Sequence, residues 1–512
     1  MEYQAFNPET RFSSAILRQL KTGSPLMPLS LRYVFLFIVG LAVFAARTNA
    51  VAAESVAENR KLPNFLFVIA DDCTHRDIGC YGGQALTPNI DRLAKEGMRF
   101  TQCFQAAPMC SPTRHNIYTG FYPVKSGAYP NHTFAKDGTK SVVHYLKPHG
   151  YRVALSGKKH ISPQEVFPFE MSGTKNNPNM DAVEKLFKES KAAGTPFCLF
   201  ACSNEPHTPY TMGDPSKYDS DKIKLPANFV DTPETRAQYV KYLAEISYYD
   251  WQVGECLRLL AKHGHAENTL VVVVSEQGSS FPFAKWTCYD SGLQSAMIAR
   301  WPGRIAAGLT SHAMVEYVDV LPTFLDAANM KQQEVLDGRS FLPVLIGQET
   351  EHKDFVFGLM TTRGINNGSD HFGIRSVRSE KYKYIVNLTP EVKFQNACVK
   401  LPPFTSWKTK AAAGDVAAAE VVRRYEHRPA EELYDVTTDT LEWKNLADDP
   451  NLAAVKAELK NQLAMWMAAQ GDKGAQTEME AKEHQARNRK KSTEPTTKKG
   501  KKGGRKKKAE SK

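Results

Sequence analysis

The sequence predicts an α/β protein: a large, mostly parallel sheet flanked by helices, followed by a smaller C-terminal α+β domain. Three observations predict it. The apolar runs Phe65–Ala70, Phe197–Cys202 and Leu270–Val274 are continuous rather than alternating, as strands buried on both faces must be. Amphipathic segments of helical length lie between them, and alternation of strand and helix implies parallel pairing. Beyond Asp370 the pattern changes to short strand-like runs, Gly373–Val377 and Lys383–Val386, separated by the polar turn Arg378-Ser379-Glu380.

Taken in order, the first strand ends abruptly in Asp71-Asp72. A helix follows over Pro88–Glu96, with Thr87 placed to cap it, Pro88 suited to the first turn and Gly97 to the end. A weaker strand, Tyr151–Leu155, runs into Ser156-Gly157-Lys158-Lys159-His160. Phe197–Cys202 runs into Ser203-Asn204-Glu205-Pro206-His207, and Leu270–Val274 into Ser275-Glu276-Gln277-Gly278. Parallel sheets bind ligands outside the carboxyl ends of their strands. Four strands here bring an acidic pair, a Lys-Lys-His run, a histidine and a Glu-Gln pair to one edge. The small domain continues through Glu432–Asp435 to a helix expected from about Leu452 to Met467.

Composition narrows the class of protein. Of 512 residues 42% are hydrophobic and 24% charged, and mean hydropathy is −0.43. These values exclude a wholly disordered chain, a collagen-like repeat and a polytopic membrane protein. The net charge of +11 is concentrated at the ends: Lys482–Lys512 holds 14 basic and 3 acidic residues, Met1–Ala53 holds 5 and 2, and the body is left at −3. A body of that charge gives no sign of a specific nucleic-acid partner.

Tyr33–Ala46 is an apolar run of 14 residues behind Arg32, followed by small residues at Ala50, Ala52 and Ala53. That is too short to span a membrane and fits a secretory signal peptide. Residues 1–53 are therefore expected to be a signal segment, with Met27 giving a conventional start, and the protein to be exported. Residues 54–369 form the expected main domain, 370–470 the second, and 471–512 a basic disordered tail. The tail is expected to be solvated or, from 482 onward, to touch polyanions. The nine cysteines show no C-x-x-C pair of the kind zinc sites use.

Between the first two strand ends lies Cys110-Ser111-Pro112-Thr113-Arg114, placed where a helix should begin with its free N–H groups toward the site. Together with Ala70-Asp71-Asp72, Thr87-Pro88-Asn89-Ile90-Asp91, Gly157-Lys158-Lys159-His160, Pro206-His207 and Lys285, it resembles the sulfatase family of the alkaline-phosphatase superfamily, over roughly residues 62–465. The resemblance implies that a separate maturase, the formylglycine-generating enzyme or an equivalent, oxidises Cys110 to formylglycine, whose hydrate is the nucleophile. It implies a metal site of Asp71, Asp72, Glu276, Gln277 and residue 110, holding one Ca²⁺. Arg114, Lys158 and Lys285 would hold the modified side chain and the sulfuryl oxygens, His207 would protonate the leaving group, and His160 would act as base. Oxygen ligands suit a hard divalent cation. Glu276-Gln277 departs from the family's usual Asp-Asn or Asp-His, each side chain being one methylene longer. Lys159 replaces a commoner Trp, and Thr113 a commoner Ser or Ala.

The run through Ile161-Ser162-Pro163 and Phe167-Pro168-Phe169, with Phe281-Pro282-Phe283, looks most like the branch containing N-sulfoglucosamine sulfohydrolase. There a sulfamate N–S bond is cut. The expected partner is a sulfated carbohydrate. Asn131 and His132 are the candidate substrate contacts, and Arg375 or His371 would reach the same pocket from the second domain. Two alternatives stay open: a phosphonate or phosphodiester hydrolase of the same superfamily, and a non-catalytic glycan-binding homologue. N-x-S/T sequons stand at Asn131, Asn367 and Asn387.

Overall fold

The structure, a computed structural model, describes residues 61–173, 176–330 and 335–489. The expected signal segment, and the tail beyond Arg489, lie outside the described residues.

Nine strands build the main sheet: β1 (Asn64–Ile69), β2 (Met98–Phe104), β3 (Arg152–Gly157), β4 (Glu170–Met171), β5 (Phe197–Cys202), β6 (Thr269–Val274), β7 (Gln294–Arg300), β8 (Leu309–Ser311) and β9 (Val315–Glu316). Their order is β4-β3-β5-β1-β6-β7-β2-β8, with β9 also on β2. β3, β5, β1 and β6 are mutually parallel, whereas β7 runs antiparallel to both β6 and β2. All residues of β1, β5 and β6 are buried, which is why those segments read as unbroken apolar runs.

The side-chain period of two divides β1 between two helical layers. Leu66 and Val68 join the core formed by α1 (Pro88–Glu96), α3 (Met180–Ala193) and α4 (Pro233–Lys262), through Ile90, Leu93, Leu186, Leu243 and Ile246. Phe65 stacks on Phe324 at 4.4 Å on the other side, where Tyr118 of α2 (Cys110–Thr119) meets Phe200 at 4.8 Å. Each such buried side chain contributes about 1.5–3 kcal/mol.

α1 has the expected bounds, but its ends are made differently. Thr87 does not cap through its side chain; its hydroxyl donates to Asp91 and accepts from the Gly79 N–H. Gly97 is required by close approach, since a Cβ there would lie 2.2 Å from the Ala299 carbonyl oxygen.

A second sheet, order β10-β11-β12-β13, is antiparallel: β10 (Val356–Thr361), β11 (Gly373–Arg378), β12 (Tyr382–Asn387) and β13 (Glu431–Asp435). The expected boundary at 369/370 therefore falls between its first two strands, and the sheet begins at Val356. α5 (Ala453–Gln470) packs on it. The expected tail also starts too early. Residues 475–489 form short helical turns, with Ala481, Thr477 and Gln485 buried. Among the described residues no helix is long and apolar enough to cross a membrane, and all nine cysteines are free.

Candidate active site

The carboxyl ends of β1, β3, β5 and β6 meet at one edge of the main sheet, and α2 points its N-terminus there. Asp71 and Asp72 follow β1, and both are fully buried. Glu276 and Gln277 follow β6 and are equally buried. Gly157 ends β3 with φ +98°, and a Cβ there would lie 2.0 Å from the Cys202 carbonyl oxygen. Glycine thus lets the chain turn across β5 and carry Lys158 inward.

Three carboxylates and three cations are interleaved. Arg114 Nη2 donates to Glu276 Oε2 at 2.6 Å, Lys158 Nζ pairs with Asp71, and Lys285 Nζ lies 2.6 Å from Asp72 Oδ1. Gln277 Nε2 donates to Asp71 Oδ1 at 3.1 Å and to Asp72 Oδ1 at 2.8 Å. Ser280, a residue the sequence reading passed over, donates its hydroxyl to Asp72 Oδ2 at 2.8 Å. Only its place four residues after Glu276 could have suggested it.

Burial sets the electrostatics. It works to raise the Asp72 pKa, but the charges of Lys285 and His207 outweigh it and hold the carboxyl below its ordinary value. Burial, reinforced by Lys285, pushes the Lys158 ammonium down to about 7. Glu276 is raised by burial despite Arg114. Burial pushes the Cys110 thiol up to about 11, with Lys285 working against it and Glu276 and Asp72 with it. A thiol so placed does not ionise at neutral pH, and the thiolate is the reactive form of cysteine. As a free thiol, residue 110 is a poor nucleophile.

The histidines flank this cluster. His207 Nε2 stands 3.6 Å from Asp72 Oδ2, and its Nδ1 lies 2.5 Å from the Thr208 carbonyl oxygen. A carbonyl only accepts, so Nδ1 carries the proton and Nε2 is bare in the neutral ring. Burial lowers His207 to about 4, although Asp72 pulls it upward. His160 Nε2 is 2.8 Å from His132 Nδ1, and burial with Lys158 and His132 holds its pKa well below the ordinary value. Asn131 is buried, and its Oδ1 faces the Cys110 Sγ at 3.8 Å.

Two further features mark the site. Asp72, His132, His160 and Gln277 have φ of 62°, 55°, 44° and 29°, a left-handed strain that persists only where surroundings over-determine it. Arg114 Nε, His160 Nδ1, Glu276 Oε1 and Gln277 Oε1 are buried without hydrogen-bond partners. Such atoms are costly unless something else meets them.

The second domain does not supply Arg375 to the pocket. Arg375 is wholly buried and spent on Asp472, with Nη2 3.2 Å from Oδ1. His371 lies 3.5 Å from Asp370 Oδ2. Among the described residues no group of three or more His, Cys, Asp and Glu side chains is arranged to hold a metal, because lysines and the Gln277 amide stand between the carboxylates. The donor chemistry fits a hard cation nonetheless: Asp71, Asp72, Glu276 and Gln277 each offer oxygen, and Glu276 Oε1 and Gln277 Oε1 lack partners.

Fixed cations and oxygen donors at the carboxyl edge of a parallel sheet, backed by a helix N-terminus at residue 110, define a hydrolytic centre for an anionic ester. Residues 63–330, just over half the chain, match the family model described as Sulfatase, and 278–395 match that of the N-sulphoglucosamine sulphohydrolase C-terminal region. An ulvan-active sulfatase of Formosa agariphila is 35% identical over 424 residues, 80% of this chain and 81% of that protein. Human N-sulphoglucosamine sulphohydrolase is 27% identical, over 79% of this chain and 89% of its own. A solved structure in complex with D-glucosamine-2-N,6-O-disulfate superposes with a TM-score of 0.62 at 19% identity, covering 81% of this chain and 99% of that one. The chain belongs to the sulfatase family and is a sulfuric ester hydrolase, on that family's alkaline-phosphatase-like fold.

Proposed function

We propose that this protein is an exported sulfatase that cleaves the sulfate ester or sulfamate of a sulfated sugar, with an N-sulfoglucosamine type as the leading substrate. The observation that carries the reading is the buried cluster around residue 110, three carboxylates against three cations with four polar atoms unpartnered. An anionic sulfuryl group would find there the cations it needs. The C-terminal match to the N-sulphoglucosamine sulphohydrolase model supports the choice of sugar. The apolar run behind Arg32 supports export.

A Ca²⁺ held by Asp71, Asp72, Glu276, Gln277 and residue 110 would neutralise charge on the sulfuryl oxygens, and formylglycine made from Cys110 by a maturase would supply the attacking oxygen. This chain's own groups do the rest. Arg114 fixes Glu276 and the backbone at Lys158, so the cationic wall is rigid before substrate arrives. Lys158 and Lys285 exchange their carboxylate partners for sulfuryl oxygens as charge shifts toward them. His207 acts through Nε2, and the proton it gives the leaving oxygen or nitrogen requires the imidazolium, which the incoming negative charge favours. His160, sharing one proton with His132, takes the proton released when sulfate departs.

The test is to co-express the chain with a maturase, sequence the Cys110 peptide by mass spectrometry, and compare rates on N-sulfated, O-sulfated and phosphodiester substrates. Conversion of residue 110 with preference for a sulfate or sulfamate is expected. Faster phosphodiester cleavage, or an unmodified thiol in a fully active enzyme, would overturn the reading.

A further inference from the structure

The segment expected to be a solvated tail instead folds back onto the loop that carries Asn131 and His132. Tyr129 donates its hydroxyl to the Thr477 carbonyl at 2.9 Å. The His484 ring donates from Nδ1 to the Gly127 carbonyl at 2.9 Å, and Thr133 donates its hydroxyl to the His484 carbonyl at 2.9 Å. Gln485 is buried against Gly364, where a Cβ would meet its side chain at 2.5 Å. Its Nε2 donates to the carbonyls of Asn131 at 3.1 Å and Gly364 at 3.2 Å, while its Oε1 accepts from Arg487. The Ala486 N–H donates to the His132 carbonyl at 2.8 Å. Thr133 and Gln485 close an antiparallel bridge.

The loop passes this restraint directly to the site. Asn131 Oδ1 faces Cys110 Sγ, and His132 Nδ1 meets His160 Nε2 at 2.8 Å. The Thr133 N–H donates to the Ser111 hydroxyl, which donates to the His160 carbonyl at 3.0 Å. His132 sits at φ 55°, a conformation that a non-glycine residue keeps only under external constraint. Two of those constraints, on the carbonyls either side of its own nitrogen, come from residues 485 and 486. Both lie beyond the stretches matched by the family models, 63–330 and 278–395.

We propose that residues 484–486 are a working part of the active site: Gln485 and the Ala486 N–H are positioning groups that hold Asn131 toward residue 110 and His132 against His160. The inference rests on the sulfatase reading for its kinetic consequence only. A misplacement of about 1 Å in a catalytic group costs up to about a hundredfold in rate.

Ala486→Pro isolates the effect. Residue 486 opens a short helical turn, and Gln485 before it is extended at φ −81°, ψ 139°, so proline fits the backbone and removes only the N–H. Ala486→Gly keeps the N–H and serves as control. Gln485→Glu keeps the acceptor for Arg487 and removes the donor to Asn131, giving an independent variant should the proline fail to fold. In the full, matured chain, Ala486→Pro and Gln485→Glu are expected to lower kcat about tenfold with KM within about twofold, and Ala486→Gly to match the parent. Residue-110 conversion, read by mass spectrometry, should be unchanged in all three. Acylation of His132 by diethylpyrocarbonate, read the same way, should accelerate several-fold in the first two alone. Parental kcat and labelling in both, or an equal loss in Ala486→Gly, would sink the positioning role. A parent inactive on every sulfate would instead sink the sulfatase reading, and labelling would still report on the loop.

Discussion

Two buried clusters of carboxylates, cations and histidine in this protein differ in completeness. In one, Lys353 Nζ lies 2.7 Å from Glu316 Oε2 and 2.8 Å from Asp319 Oδ1, and His352 Nε2 is 3.2 Å from Asp319 Oδ2. Tyr122 donates its hydroxyl to Glu316, the Phe357 N–H donates to Glu316 Oε1, and the Arg339 N–H joins Lys353 on Asp319 Oδ1. Burial alone would push the Lys353 ammonium down, but Asp319 and Glu316 outweigh it and hold it above its ordinary value. No carboxylate oxygen of this cluster lacks a partner. In the other, around residue 110, Arg114 Nε, His160 Nδ1, Glu276 Oε1 and Gln277 Oε1 are left over. A cluster that closes on itself ties β9 to β10. One that does not close keeps buried donors and acceptors that no group of the chain meets.

Breaking each cluster should therefore fail differently. Cys110→Ser removes the residue on which the open cluster converges, and turnover of a sulfate ester should fall by at least about 10⁴-fold, some 5 kcal/mol in the transition state. Denaturant unfolding should move by no more than about 1 kcal/mol. Undiminished turnover would remove residue 110 as the nucleophile. Lys353→Met should do the reverse, leaving Glu316 and Asp319 buried without their cation at a cost of about 3–5 kcal/mol. The readout is the urea midpoint at constant slope. A protein as stable as the parent would show that the closed cluster is not structural.

The open cluster should also respond to an ion the closed one ignores. Ca²⁺ at a hundredfold its Kd should add about 2.7 kcal/mol to unfolding, seen as a rise in Tm that chelator reverses. Glu276→Ala should abolish the shift, whereas Lys353→Met should keep it. A Ca²⁺ shift surviving Glu276→Ala would place the ion elsewhere.

How much of this was legible in sequence depends on whether the signal was local. β5 has the bounds its apolar run implies, Phe197–Cys202, because a strand buried on both faces has no polar residue until it ends. Asp71, Asp72, Lys158, His207, Glu276 and Gln277 come to one edge because parallel pairing aligns the strand ends that carry them. Where a partner is distant in sequence, nothing local announced it. Arg375 reads as a cation free to meet substrate, yet Asp472, 97 residues on, neutralises it in the interior. β10 was missed because a long loop, 362–372, separates it from the strands that reveal the small sheet. The closed cluster of Glu316, Asp319 and Lys353 left no trace in the sequence. Segment 481–489 was misread for another reason: it is held by backbone groups, the His484 ring, the Gln485 amide and the ion pairs of Arg489 with Asp137 and Glu165, none of which hydropathy records.

An unpartnered buried atom does not by itself mark a site, and His75 shows why. Its Nδ1 also lacks a partner, but it stands beside Asp290 and Arg378, which are already paired with each other at 3.1 Å. With no carboxylate free to compensate it, the ring is kept neutral: burial, with the Arg76 charge, lowers its pKa to about 3. The unfolded chain binds that proton near 6.5, so between pH 6.5 and 3 the unfolded state holds more protons than the native state. The sign follows: His75 adds nothing against the protein above pH 6.5, and stability is lost as pH falls below it. At pH 5 the loss from this one residue should be about 2 kcal/mol. His75→Gln keeps a donor toward the Gln294 backbone and cannot take the proton, so its urea midpoint should fall less than the parent's between pH 7 and 5. Parallel pH profiles would mean that His75 already shares a charge with Asp290. It would then belong with the incomplete clusters and not with the merely dry interior.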